Sequence, residues 1–368
     1  MPTLRSKLAV LGLVAFLGAA PAASAQQKSA TELDHALVAR TTLEKHIRPG
    51  FSLLTAAFSK LQKATASCAD KPKFRYSRLM PAFRQAVLAW GRVAHLNIGP
   101  LAEENRYDRN FFWLDRKGIA RRQVARALRD APPDYREAGK LGEMSIGVQG
   151  LPALEQLIVT PPEPGEDSAF KCSYAQAIAG NLVNIAHASE AAWSAGGIWS
   201  ERWLTAGPGN PTYIAPPETP YVLIRAYLDN IERVRDVEVM RPLGLAVRGR
   251  DLPGPFARSD LTMAFIAARI AGLRSLIEDG GLAQETTRTA KARGSPEAEQ
   301  AIKQVKFELG FLARLSTKLA KVREFFESPQ RDEAIALGFP LKSARLLAEK
   351  AFGLTTDLPM GFNASDGD

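Results

Sequence analysis

From Ser295 onward, Ile302, Val305, Leu309, Leu312, Leu319, Val322 and Phe326 recur at spacings of three and four, with one gap at Ser316. That spacing sets these side chains on one face of an α-helix, which has to be buried against other helices. Ser295 reads as the N-cap, Pro296 as the first helical residue, and Pro329 as the stop. The same period runs over 220–240, with Ile224, Tyr227, Ile231 and Val234 inward and Pro242 closing it. Another helix is expected from about Asp260 to the Gly280-Gly281 stop. In the first half the pattern covers about 31–47, 49–67, 76–96, 119–130, 138–159 and 168–189. No run alternates apolar and polar residues between turn signals, so no strand is expected. The expected fold is all-α, with long helices on short links packing as antiparallel bundles.

Two such bundles are expected. The stretch 196–219 carries Gly207-Pro208-Gly209, Pro211 and Pro216-Pro217 and reads as a linker between bundles at 26–195 and 220–368. At about 150 residues per domain, the 368-residue length also suggests two units. Glu44 to Arg48-Pro49 in the first half is echoed by Glu238 to Arg241-Pro242 in the second. The echo fits an internal duplication, and chance would look the same.

Residues 1–25 read as a signal peptide rather than as part of the fold. Arg5 and Lys7 precede an apolar run from Leu8 to Ala20, and Ala23-Ser24-Ala25 forms a small-residue cleavage site before polar Gln26-Gln27-Lys28. The run is shorter than the ~18–20 residues that span a bilayer, and no later stretch is longer. No cysteine follows the cleavage point and no twin arginine precedes the run. The expected location is the periplasm, as a soluble protein and not a lipoprotein.

Hydrophobic residues at 46% and charged residues at 24% exclude a disordered, collagen-like or disulfide-scaffold chain. Two cysteines and four histidines are too few for a zinc-finger array or a multihaem protein. In an oxidising compartment Cys68 and Cys172 are expected to pair as a disulfide, with two buried free thiols as the alternative. The pairing would close a loop on the order of 100 residues, worth roughly 4–5 kcal/mol in the chain-entropy account. Neither cysteine has a histidine close in sequence, which weighs against a catalytic thiol.

The most unusual local sequence is Gly147-Val148-Gln149-Gly150-Leu151-Pro152-Ala153-Leu154-Glu155. Gly150 and Pro152 interrupt an apolar helix, and Glu155 is expected in the first turn of the restarted helix, where the dipole favours a carboxylate. A kink with a surface glutamate is the plain alternative. Dinucleotide and phosphate-loop spacings are both absent.

This stretch resembles the imelysin-like family, exported bacterial proteins named after an insulin-cleaving membrane protease and linked to iron uptake. The family signature is Gly-x-His-x-x-Glu, whose His and Glu could share a metal. Gly150, Leu151, Ala153, Leu154 and Glu155 fit that frame, but Pro152 stands at the histidine position. Proline offers no donor atom, so the His/Glu pair cannot form there. What carries over is Glu155 as an oxygen ligand or pocket residue, with Gln149 beside it.

Other stretches resemble the family in the same order along the chain. They are Ala89-Trp90 with Val93, His95 and Gly99-Pro100; Phe112-Trp113-Leu114-Asp115-Arg116-Lys117-Gly118; Cys172 to Ala179; and Gly361 to Asp368. The resemblance implies two related helical bundles with the signature near their junction. It makes Gln149, Glu155, Trp90, Asp115 and Arg116 the expected binding residues. Asn363, Asp366 and Asp368 are oxygen donors suited to a hard cation, and Glu155, Asp366 and Asp368 form the expected metal set. A frayed polar tail is the alternative for the last two.

Asp115 lies in an aromatic and basic context, and an ion pair with Arg116, Arg109 or another arginine is its expected role. His95 either faces a pocket or is a hydrogen-bonded core histidine. His35 and His46 are eleven residues apart, roughly 16 Å along a helix, too far to share a metal. His187 and Glu190 have His-x-x-Glu spacing without the preceding glycine, and no His-Glu-x-x-His occurs. Arg109 to Arg129 holds seven basic residues and one acid, with Arg122, Arg126 and Arg129 on one face. That region is either a solvated face or a site for an anionic partner or surface, and nucleic acid is not an expected partner outside the cytoplasm.

The expected function is a non-catalytic periplasmic protein of iron or haem-iron acquisition that binds a metal, a metal complex or a partner. The iron link rests on the resemblance, and the argument against catalysis rests on Pro152. The cofactor is open, with iron or another divalent metal as the candidate. The alternatives are a metallopeptidase using Glu155, and a scaffold docking a periplasmic redox or transport protein.

Overall fold

Ser295 does cap its helix: its Oγ accepts from the Ala298 amide at 3.4 Å, and Pro296 begins the helical run. Ile302, Val305, Leu309, Leu312 and Leu319 are all buried, and the stripe's gap is filled by a fully buried Ser316. Phe326 lies outside the described residues. The computed structural model describes residues 30–67, 76–161, 167–245, 252–322 and 329–356. The expected signal peptide, Cys68, Asn363, Asp366 and Asp368 therefore lie outside them.

Helices are the only regular elements among the described residues, which include no strand. The helices that build the core are α1 (His35–Thr42), α2 (Arg48–Ala66), α3 (Tyr76–Val93), α4 (Ile119–Asp130), α5 (Gly150–Val159) and α6 (Ser168–Trp193). They continue with α7 (Ile198–Leu204), α8 (Glu218–Arg233), α9 (Thr262–Glu278), α10 (Leu282–Ala292), α11 (Pro296–Leu319) and α12 (Gly338–Thr355). In the first bundle α2 packs on α3 and α6, and α5 packs on α3 and α6. In the second, α11 packs on α9, α10 and α12, and α8 on α9 and α12. The stretch 196–219 between them carries α7, whose Trp203 is fully buried against Trp193 and Tyr213 and donates its indole N–H to the Ala39 carbonyl at 3.0 Å.

The seam between the bundles is α3 against α9. It closes this tightly because Gly272 has no side chain: a Cβ there would collide with the Arg92 carbonyl oxygen. On the facing helix, a Cβ at Gly91 would lie 2.8 Å from that of Ala268.

The Glu-to-Arg-Pro echo has a structural counterpart. Leu43–Ile47 and Val234–Met240 are both π-helical, and each runs into an Arg-Pro pair. A proline in an α-helix clashes with the carbonyl four residues earlier. Widening the preceding turn relieves that conflict at Pro49, where the Arg48 amide reaches back to the Leu43 carbonyl.

One expected helix is broken. The apolar period over 138–159 spans a helix at Ala138–Glu143, a 3₁₀ turn at Ile146–Val148, and α5. The break falls before Gly150, so Pro152 sits inside the first turn of α5, where its missing N–H costs no helical bond.

Candidate functional site

Gly150 starts α5 with φ +80°, and a Cβ there would lie 2.5 Å from the Arg109 carbonyl. Only glycine meets both demands, and it aims α5 at the seam. Glu155 lies in the second turn of α5 rather than the first, and it is buried rather than on the surface. Its Oε1 accepts from the Ser259 amide at 2.9 Å and from the Ser259 hydroxyl at 2.6 Å. Ser259 belongs to the second half, so this carboxylate joins the halves. Burial pushes the Glu155 pKa up, against the pull of the Ser259 hydrogen bonds and the nearby Arg258 charge.

Beside Glu155 lies a cavity of about 240 Å³ between α4, α5 and the 252–258 segment. Asp115, Gln149, Glu155, Arg121 and Arg258 border it, with Trp113 and Phe256 among its aromatic walls. Phe256 stacks on Phe111 at 5.2 Å and meets Phe265 edge-on at 5.1 Å, so both halves supply the aromatic cluster behind the cavity. Leu114 and Phe256 both line the cavity with φ above +50°, and Asp260 beside it does the same. Side chains rarely accept that left-handed backbone, and such strain concentrates at functional sites.

The expected binding residues divide. Asp115 and Glu155 border the cavity, but Asp115 is not an arginine's partner. Its two oxygens accept from the Ile119 amide at 2.7 Å and the Arg121 amide at 3.3 Å, which caps the start of α4. Gln149 borders the cavity with its amide already used: Nε2 donates to the Met144 carbonyl at 2.9 Å, and Oε1 accepts from Asn181 at 2.7 Å. Trp90 is fully buried away from the cavity, against Tyr107 at 5.2 Å. Arg116 is exposed. Arg126 and Arg129 both pair with Asp130, which divides the basic run into a paired part and the cavity-bordering Arg121.

No group of three or more His, Cys, Asp or Glu is placed to hold a metal among the described residues. Around Glu155 the reason is visible: Pro152 supplies no donor, and Asp115 and Gln149 are engaged by backbone and Asn181. The residues present do not fit a tightly ligated bare ion. Two arginines, two carboxylates and aromatic walls fit a small polar or charged organic ligand better.

Sequence reasoning missed a second buried polar centre. His46, in the first π-helical turn, and His95, just after α3, meet Nε2 to Nε2 at 2.8 Å. The Ser275 hydroxyl donates to Asp279 at 2.8 Å, so it accepts from His46 Nδ1 at 3.0 Å. With that proton on Nδ1, neutral His46 offers a bare Nε2, and His95 donates to it. Burial lowers the His46 pKa to about 4. Burial, His46 and the Arg269 charge hold His95 well below the usual histidine range. Arg269 in turn forms a fully buried ion pair with Glu238 of the second π-helical turn, at 3.3 Å. His35–Tyr221 and the exposed His187 stand apart from this centre.

Comparison with known proteins bears on the fold and the lineage. None of the curated proteins matches. An imelysin-like protein from Psychrobacter arcticum 273-4 superimposes with TM-score 0.73 at 17% identity, over 90% of this chain and 99% of that one. An iron-regulated protein A precursor from Parabacteroides distasonis ATCC 8503 gives TM-score 0.65 at 9% identity, over 86% of this chain and 95% of that one. The sequence itself matches the imelysin family over residues 47–337. With its all-helical two-bundle fold and a match over most of its length, the chain belongs to the imelysin family.

Proposed function

We propose that the protein is a non-catalytic periplasmic binding protein of iron or haem-iron acquisition, and that its interfacial cavity takes a compact metal complex rather than a bare ion. The observation that carries this reading is the cavity beside Glu155, bordered by Arg121 and Arg258 and walled by Trp113 and Phe256. Guanidinium groups recognise the carboxylates of an organic chelator, and aromatic walls cover its carbon skeleton. At about 240 Å³ the cavity is below the ~300–1,000 Å³ of ordinary small-molecule sites, which favours a compact chelate over haem. The iron-regulated name borne by the Parabacteroides neighbour supports the iron link.

Export through residues 1–25 and a Cys68–Cys172 disulfide belong to the same reading. Cys172 is buried near the start of α6, in an oxidising-compartment context the signal-like leader supports. Among the described residues no helix is long and apolar enough to cross a membrane. The two π-helical turns ahead of Arg-Pro pairs support an internal duplication.

Calorimetric titration tests the binding claim. The protein is expected to bind ferric citrate and not free ferrous or calcium ions, with affinity reduced about tenfold or more by Arg258→Ala. Tight binding of the free ions, unaffected by Arg258→Ala or Glu155→Gln, would overturn it.

A further inference from the structure

Phe307 and Phe311 on α11 and Phe339 and Leu346 on α12 are exposed by 63%, 40%, 79% and 49%. These helices pack on each other, and the Ser343 hydroxyl donates to Glu308 Oε1 at 3.1 Å. Nearer the other end of α12, Leu347 and Lys350 border the same hollow as Ala301 and Gln304. Numbers rise on one helix as they fall on the other, so the pair is antiparallel, and Phe311 stands level with Phe339. Leu346 falls between Lys303 and Phe307 in that register.

Cations alternate with these apolar groups. Lys303, Lys306 and Arg314 share the outer face of α11, and Lys342 and Lys350 that of α12; all five are exposed. None of the five is in an ion pair among the described residues. Most acids nearby are otherwise engaged: Glu308 takes Gln304 and Ser343, Glu349 takes Arg345, Glu333 takes Lys318, and Glu299 takes Lys291, which leaves Glu297 beside Lys350 at one end of the face. A helix face of unpaired cations interleaved with aromatic and aliphatic side chains is the pattern of segments that lie in a lipid headgroup layer.

We propose that the α11–α12 face docks on an anionic phospholipid surface, with Phe307, Phe311, Phe339 and Leu346 entering the headgroup boundary and the five cations meeting lipid phosphates. Charge complementarity selects this occupant, because five exposed cations on the face outnumber Glu308 and Glu297, the acids there that no cation pairs. The apolar groups project singly from two helix ridges instead of lining a groove, which suits a deformable headgroup layer better than a rigid partner helix. The inference is independent of the cavity and of what it binds.

Cosedimentation of the purified protein with vesicles tests it. Retention is expected on phosphatidylcholine vesicles containing phosphatidylglycerol and not on phosphatidylcholine alone, falling as salt rises. Phe311→Ser with Phe339→Ser, and separately Lys303→Glu with Lys306→Glu, should each cut retention about tenfold while circular dichroism stays unchanged. Because all these side chains are exposed, the variants are expected to fold. Absence of retention, or full retention by both folded variants, would overturn the proposal. So would a concentration-dependent dimer abolished by Phe311→Ser with Phe339→Ser, which would give the face to a second copy, or equal retention on a soluble acidic polypeptide, which would leave the lipid no special part.

Discussion

His46 and His95 share one hydrogen bond, Nε2 to Nε2 at 2.8 Å, and both residues are buried. Burial favours the pair with both rings neutral. Protonating either one places a charge in a buried site, beside Arg269 in the case of His95.

The sign of the pH dependence follows from that. The unfolded chain holds its histidines near 6.5, whereas folded His46 is held at about 4. The unfolded state therefore binds protons more readily between those values, and stability falls as pH drops from about 6.5 towards 4. For His46 alone the loss is about 3 kcal/mol across that window. Urea midpoints measured from pH 7.5 to 4.5 should decline accordingly, and His46→Asn with His95→Gln should flatten the decline. An equal slope in that variant would contradict the neutral pair.

Glu155 holds the Ser259 amide and hydroxyl from across the seam. Glu155→Ala removes the acceptor of the half-buried Ser259 amide and leaves the hydroxyl only the Phe256 carbonyl at 3.2 Å, which is expected to cost about 1–2 kcal/mol. Glu155→Gln keeps an acceptor oxygen and should cost about 1 kcal/mol. Denaturant midpoints of the two variants, compared at pH 7, check the order.

Gly272 is the second load on the seam. Gly272→Ala pushes a methyl into the Arg92 carbonyl oxygen and has to separate α3 from α9. An overpacked seam is expected to cost about 1–3 kcal/mol and to lower the thermal midpoint by several degrees. Gly139→Ala, where a Cβ meets nothing within 4 Å, is the control and should stay near the parent value.

Much of this architecture was legible in the residue pattern because helices declare themselves through period and caps. Ser295-Pro296 and the stripe from Ile302 predict the start and buried face of α11, whereas the helix ends at Leu319, before the expected stop at Pro329. Gly150 and Pro152 mark the interruption although apolar spacing continues through 138–159, but they do not place Glu155, which falls in the second turn of the restarted helix. Tertiary contact sets the break there: Gly150 lies too close to the Arg109 carbonyl for any side chain. The charged neighbours of Asp115 point to an ion pair, but its position ahead of Ile119 is the better signal, because a carboxylate at a helix start meets free amides. His46 and His95 are 49 residues apart and belong to no shared motif, so only the fold brings them together. The Gly150-to-Glu155 stretch is conspicuous in the sequence, while Ser259, the partner of Glu155, lies 104 residues away in the other half.

The expected disulfide makes its own prediction. Thiol titration of the unreduced, denatured protein should find no free thiol, and reduction should expose two. A loop on the order of 100 residues implies that reduction lowers stability by up to roughly 4–5 kcal/mol. Two reactive thiols before reduction would contradict the pairing.

Anomalous X-ray scattering at the iron edge, from crystals soaked in ferric citrate, tests the binding account most directly. The account predicts an iron peak inside the cavity bordered by Glu155, Arg121 and Arg258, with citrate density between the two guanidinium groups. An iron peak confined to residues 357–368 or to the protein surface, with the cavity holding none, would contradict it.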